Sequence, residues 1–205
     1  MKTITLDFDD FSIENTNLFY FEKLHEMYPS IKLSMFYIPA DIEYFNRLDE
    51  VQKEQSKNMI KKVVSDGWIE LIPHGVTHIK DEFKNATYEN MELTIKAYEE
   101  HFKIIGCPYI KGFKAPYWEM SKEAIKCLDD NGWFLAIDRN QPQSIKAKKN
   151  YEYNWNVADP FPKGQKVIKG HGHISPPSSN NIVACLENLT KIPPDYTWKF
   201  VSEIV

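Results

Sequence analysis

Trp68-Ile-Glu-Leu-Ile-Pro-His-Gly-Val-Thr-His78 is the stretch whose reading decides the fold. The apolar run from Trp68 to Ile72 has the length and composition of a buried strand, and Pro73 ends it because proline cannot donate to a ladder. Gly75 permits backbone angles that other residues avoid, so the two imidazoles sit on a strand-exit turn rather than on a helix. Just upstream, Asp66-Gly67 closes a helical pattern, and glycine suits a left-handed C-cap. The same phrase of helix, Asp or Asn, Gly, Trp and strand returns at 131–133. Two helix-to-strand loops of one kind imply strands alternating with helices, right-handed crossovers and a parallel sheet.

Working outward, the pattern fills in on both sides. Thr3 to Phe8 reads as a first strand running into Asp9-Asp10, followed by a helix from about Glu14 to Met27. Ile31 to Ile38 is a second strand, and Asp49 to Asp66 a helix with an interrupted apolar stripe. A helix from Tyr88 to Ile105 carries Met91, Ile95, Tyr98 and Phe102 on one face, with Gly106 closing it. Tyr109 to Lys114 is a fourth strand, Ser121 an N-cap, and Trp133 to Ile137 a fifth strand ending on Asp138. Arg139 to Lys149 reads as a loop. Tyr151 to Val157 is a short strand and Lys166 to His173 a firmer one ending in His171-Gly-His173. Ser178 or Ser179 caps a helix through Leu189, and Trp198 to Val205 closes the chain as a strand. Seven or eight strands in this order describe a compact α/β barrel, with 1–205 as a single domain.

Composition narrows the function classes. Hydrophobic residues make up 42% and charged residues 26% of the 205, an ordinary globular balance. A formal net charge of −4 gives no electrostatic case for nucleic acid or an anionic membrane. Cys107, Cys127 and Cys185 are too few and too scattered for a disulfide framework. The N-terminus meets acids before an apolar core could form, so no signal peptide is read, and no stretch approaches membrane-spanning length. The expected compartment is therefore the cytoplasm, with no membrane insertion; nothing in the sequence sets an oligomeric state.

In parallel α/β folds the functional groups gather at the carboxyl ends of the strands. Five strands end on unusual residues: Asp9-Asp10, His74 and His78, Lys114 with Pro116 and Tyr117, Asp138, and His171 with His173. Adjacent aspartates repel each other in an apolar rim unless a cation stands beside one. One then ligates and the other serves as a base. Asp10, His74 and His78 make an open three-ligand site of the catalytic type, for which zinc is the default and cobalt, manganese, iron or nickel are compatible. The plainer reading of Asp9-Asp10 is an N-capping pair for the next helix.

Phe8-Asp9-Asp10, His74-x-x-x-His78, Phe113-Lys-Ala-Pro-Tyr117 and Val167-Ile-Lys-Gly-His171 stand in the order of the motifs of the polysaccharide deacetylases, and the chain resembles that family over nearly its whole length. These are the NodB-homology enzymes of carbohydrate esterase family 4, with a distorted (β/α)7-type barrel; the wording here resembles a divergent branch. The resemblance implies a metal-dependent hydrolase taking an N-acyl, chiefly N-acetyl, group from a sugar or glycan. It implies Asp9 as base, Asp10, His74 and His78 as ligands of one divalent ion, the Tyr117 amide as oxyanion donor and His171 as acid, with His173 the alternative. Lys114 stands where the family has an arginine that orients the base, which keeps the charge and loses the two-pronged geometry. Gly75 replaces a hydroxyl residue that ties the loop. Asp138 is the candidate partner of the acid histidine.

Trp118 and Trp155 are candidates for stacking on a sugar ring, with core packing favoured for Trp155. His25 and His101, on helices, read as surface residues. A zincin site would need His-Glu-x-x-His, and position 75 is glycine; no His-x-Asp/Glu pair of the non-haem iron oxygenases is present. The rival of a different class is a metal- and carbohydrate-binding module on the same fold without turnover.

Overall fold

The strand β1, Lys2–Phe11, is the axis around which the other elements are laid. The computed structural model describes residues 2–12, 17–39, 49–138, 146–174 and 178–205. Along β1 the side chains alternate. Ile4, Leu6 and Phe8 are wholly buried in the apolar core, where Phe8 meets Phe21 of α1 (Leu18–Met27) edge-on at 4.8 Å. Thr5, Asp7 and Asp9 face the opposite way, into the barrel, where their partners come from other strands.

Every strand pairing among the described residues is parallel. β2 (Leu33–Tyr37) joins β1 to β3 (Ile69–Pro73), while β8 (Val167–His173) lies on the other side of β1 and pairs with β7 (Trp155–Asn156). A second group orders β4 (Gly112–Lys114), β5 (Phe134–Ile137) and β6 (Asn150–Glu152). The groups meet where His74 bridges to Lys114 and the Ile110 amide donates to Leu71 O at 2.8 Å. β6 and β7 are two residues apart, and one pairs with β5 while the other pairs with β8. Taking that bent segment as one stave, the order runs in chain sequence through β1 to β5, the bent stave and β8, and returns to β1. This is the distorted (β/α)7-type barrel expected from the sequence.

The helices cover the outside: α2 is Glu50–Ser65, α3 Tyr88–Ile105, α4 Lys122–Asp130 and α5 Ile182–Leu189. α2 and α3 begin with reciprocal capping boxes at Asp49/Gln52 and Thr87/Asn90, and α3 ends on left-handed Gly106. No described helix is long and apolar enough to cross a membrane. The three cysteines are free and buried.

Several boundaries differ from the sequence reading. The first residues of the expected α1, 14–16, and most of the 139–149 loop lie outside the described residues. The cap of α5 is Asn181, whose side chain accepts from Ala184 N at 3.0 Å, rather than Ser178 or Ser179. The expected final strand over 198–205 is instead a short β9, Tyr196–Trp198, followed by a 3-10 turn at Val201–Glu203. Buried Glu70 on β3 dictates that turn. Its carboxylate accepts from Ser34 Oγ (2.6 Å), Ser202 N (3.1 Å) and Ser202 Oγ (2.5 Å), so the chain end folds over to satisfy it.

Candidate active site

Asp10, His74 and His78 converge where β1 and β3 leave the barrel. His74 Nδ1 lies 3.0 Å from Lys114 O, so the ring N–H is on Nδ1 and the Nε2 lone pair faces the opening. Burial lowers the His74 pKa to about 3, which keeps the ring neutral and ready to ligate. His74 Nε2 is 3.1 Å from His78 Nε2 and 3.7 Å from Asp10 Oδ1, and His78 Nε2 is 3.2 Å from Asp10 Oδ1. Donors about 2.0–2.1 Å from a tetrahedral ion lie roughly 3.3–3.4 Å apart, so these three atoms fit one divalent ion with an open fourth position. Burial and the adjacent Asp9 charge raise Asp10, a penalty that a cation among these donors would offset.

The loop bearing His78 is held from below by Glu82. Its Oε1 accepts from Val76 N (2.9 Å) and Thr77 N (3.0 Å), and its Oε2 from His78 N (3.1 Å). A side chain at position 75 would place its Cβ 2.4 Å from Pro116 Cγ and 2.7 Å from Glu82 Oε2, and Gly75 has φ +64°. Glycine there admits both Pro116 and the Glu82 carboxylate, and Glu82 ties the loop where a hydroxyl was expected. Sequence reasoning missed Glu82; an acid four residues after His78 was the one available sign.

Behind the donor triangle runs a buried chain of charges. Lys114, 1% exposed, sets its Nζ 2.6 Å from Asp9 Oδ1 and 3.2 Å from Asp7 Oδ1, with the ammonium over the rings of Phe36 (4.1 Å) and Trp118 (4.5 Å). Burial pushes Asp9 up, yet the Lys114 ammonium beside it outweighs that and holds the carboxyl well below its usual range. Asp7 is held down the same way, against burial, by Lys114 and His171. Asp7 Oδ1 accepts from His171 Nδ1 at 2.8 Å and Asp7 Oδ2 from Tyr151 Oη at 2.9 Å. The register of β1 with β8, Asp7 beside His171 and Asp9 beside His173, brings these groups together.

The carboxylate on His171 is therefore Asp7, not Asp138. Asp138 accepts from Tyr153 Oη at 2.9 Å, and the Tyr153 ring lies 4.7 Å from the His171 ring, while Asp7 makes the direct contact. The capping reading of Asp9-Asp10 also fails, because α1 has Asn17 at its N-cap position. His101 is not a plain surface residue. Tyr37 Oη lies 3.0 Å from its Nε2, and burial lowers its pKa to about 4. His25 stacks on Trp68 at 4.6 Å. Trp155 is buried beneath Phe161.

The rim is closed by the turn Pro116–Trp118. Tyr117 is exposed with its ring 5.7 Å from His78, and Trp118 stands 5.8 Å from His171 and 6.0 Å from Tyr153. Among the described residues six non-glycine positions have positive φ, and four of them (Asp10, His78, Tyr117 and Trp118) lie in this cleft. Backbone strain of about 1–3 kcal/mol per residue persists where the surroundings over-determine a functional geometry.

No protein-family model matches the chain, and neither does any curated protein. Solved structures do. A peptidoglycan N-acetylglucosamine deacetylase in complex with a substituted N-oxidanyl-benzamide superposes with TM-score 0.68 at 13% identity, over 98% of this chain and 87% of that one. The Xyl-CE4 domain of a multidomain xylanase from the hindgut metagenome of Trinervitermes trinervoides gives 0.61 at 19% identity, over 98% and 88%. A CE4 family pseudoenzyme from Bacillus anthracis gives 0.63 at 13%, over 99% of this chain and 65% of that one. At such identities the likeness establishes the fold, that of the carbohydrate esterase family 4 structures, on which both deacetylases and pseudoenzymes are found.

Proposed function

We propose that this chain, acting as one catalytic domain, is a metal-dependent hydrolase that removes an N-acyl group, foremost N-acetyl, from a sugar or glycan. The observation that carries the reading is the open donor triangle of Asp10, His74 and His78, flanked by a lysine-clamped carboxylate and an aspartate-paired imidazole. A divalent ion held there, zinc by default, would acidify water and polarise the acyl carbonyl.

The chain's own groups supply the rest. Asp9, kept ionised by Lys114, takes the proton of the attacking water. The amide of Tyr117, presented by the strained turn, donates to the developing oxyanion, a contact worth about 3 kcal/mol of barrier. His171 delivers a proton through Nε2 to the nitrogen as the C–N bond breaks, releasing the acid and the free amine. Asp7 fixes that ring with Nε2 toward the cleft, and on that contact His171 rather than His173 is taken as the acid. Tyr117, Trp118 and Tyr153 offer ring faces to a pyranose, and Pro116 sets the edge.

The test is acetate release from N-acetylated chito-oligosaccharides and a wider acyl-sugar panel by the metal-loaded protein. Asp9→Asn should lower the rate roughly 10²–10⁴-fold while retaining its metal by elemental analysis. Binding of glycans without acetate from any member of the panel would replace this reading with that of a carbohydrate-binding module.

A further inference from the structure

We infer that Asp9, His171 and His173 form a second, weaker divalent-cation site beside the first, and that filling it stops hydrolysis. The three residues offer ligand atoms that all lie within 4.8 Å of one another and share no residue with the Asp10, His74 and His78 set, which they adjoin where Asp9 Oδ2 lies 3.7 Å from His74 Nε2. Their orientation is fixed from outside. His171 Nδ1 is 2.8 Å from Asp7 Oδ1, and His173 Nδ1 is 2.8 Å from Asn180 Oδ1, so each ring spends its N–H on an oxygen partner. Both Nε2 atoms are thereby turned inward, each 3.9 Å from the same oxygen, Asp9 Oδ2. That distance is too long for a hydrogen bond, and when the rings are neutral their lone pairs and the carboxylate oxygen repel one another unless a proton, the one His171 gives as acid, or a cation comes between them. An imidazole oriented through its far nitrogen by a carboxylate or carbonyl is the arrangement that supports metal ligation.

Charge and spacing set the strength. Lys114 reaches Oδ1 of Asp9, leaving Oδ2 to the cleft, and two buried carboxylates, Asp7 and Asp9, face that single ammonium. The residual negative charge favours a second cation. The spacing opposes tight binding, because 3.9 Å must contract by about half an ångström for donors of a tetrahedral ion. The first triangle, at 3.1 to 3.7 Å, needs no such adjustment. The second ion therefore enters after the first, from the partly exposed His173 side.

The inhibitory consequence rests on the function proposed above; the binding does not. Asp9 and His171 are the base and the acid of that reaction, and an ion on Asp9 Oδ2 and His171 Nε2 occupies both at once.

Chelator-stripped protein titrated with Zn²⁺ by calorimetry, with bound zinc counted after equilibrium dialysis, should take up two ions per chain, the second at least tenfold weaker than the first. His78→Ala should lose the tight ion, and His173→Gln should lose only the weak one. Asn180→Ala, which leaves all three ligands in place, should weaken the second ion roughly 10–100-fold. Acetate release should fall in step with occupancy of the second site. Saturation of the parent at one ion, or two ions still bound by His173→Gln, would overturn the site. Two ions with the predicted variant pattern but no acetate at any occupancy would uphold the site and refute the hydrolase reading instead.

Discussion

Replacing Lys114 by methionine removes the buried ammonium that lies over Phe36 and Trp118 while keeping an unbranched apolar stem of similar length. In the parent, Nζ stands 2.6 Å from Asp9 and 3.2 Å from Asp7, both carboxyls nearly or wholly buried. Taking one partner out of a buried ion pair costs about 3–5 kcal/mol, and here two carboxylates lose the same cation, so the upper end is expected. Urea unfolding in a chelator, so that no ion substitutes for the ammonium, measures the loss. Its pH dependence follows from the direction of the shifts. Both carboxyls are depressed in the folded parent, which therefore keeps their stabilisation above the ordinary carboxyl range and loses it only as pH falls through the depressed values. Without Lys114, burial raises the same carboxyls, and the variant recovers by protonating them. The gap between parent and variant should be widest near neutral pH and close toward about pH 4. Asp7→Asn in the Lys114→Met background should restore about 1–3 kcal/mol. A variant within 1 kcal/mol of the parent at neutral pH, with a parallel pH profile, would refute the pairing.

Glu82→Gln leaves an amide where three backbone N–H groups now share a carboxylate; affinity for the tight ion should fall roughly 10–100-fold in a chelator competition, and an unchanged constant would show that the loop is held otherwise. Gly75→Ala forces a Cβ against Pro116 at a φ of +64°, so thermal unfolding should reveal a loss of about 2–4 kcal/mol; a loss under 1 kcal/mol would mean that the loop yields freely. His101 is depressed to about 4 by burial, so between pH 6.5 and 4 the unfolded chain takes up a proton that the folded one does not, and stability falls with pH by up to about 3 kcal/mol. His101→Gln should flatten that limb in urea unfolding between pH 7 and 4.5, and a limb of undiminished slope would place the titration elsewhere.

The barrel was legible because its signals are local and repeated. Asp-Gly-Trp and Asn-Gly-Trp mark helix ends running into strands, and β2 and β3 are buried throughout and apolar except at Ser34 and Glu70, close to the continuous run expected of buried parallel strands. Asp10, His74 and His78 were legible for a related reason, since each stands at a strand exit. The interior was harder to read. Asp7 lies two residues before Asp9, on the same face of β1 as Thr5, and that alternation was the one clue to a carboxylate inside the barrel. Its partners are more than a hundred residues away on β4, β6 and β8, and no spacing along the chain announces them. Asp138 reads as a site residue because it ends a strand, as functional groups do; the closure of the ring instead seats Tyr153 between it and His171. The final strand was misjudged because an apolar tail carries no sign of the buried Glu70 that folds it over.

Lys114 in place of an arginine and Asp7 inside the barrel are two parts of one arrangement. A guanidinium presents a planar fork suited to both oxygens of a single carboxylate. An ammonium is a compact charge with three tetrahedrally set donors, and here it must reach Oδ1 of two different carboxylates on consecutive inward positions of β1. Asp7 can then give one oxygen to Lys114 and His171 and the other to Tyr151, whose hydroxyl is linked on to Thr5 at 3.1 Å. The chain of contacts ties β1, β4, β6 and β8 across the barrel, so the same charges that fix its geometry also orient Asp9 and His171. Arginine at position 114, pairing with both oxygens of one carboxylate, would match the two separate Oδ1 contacts less well. A lysine here lets one aspartate touch both the ammonium that clamps Asp9 and the ring of His171.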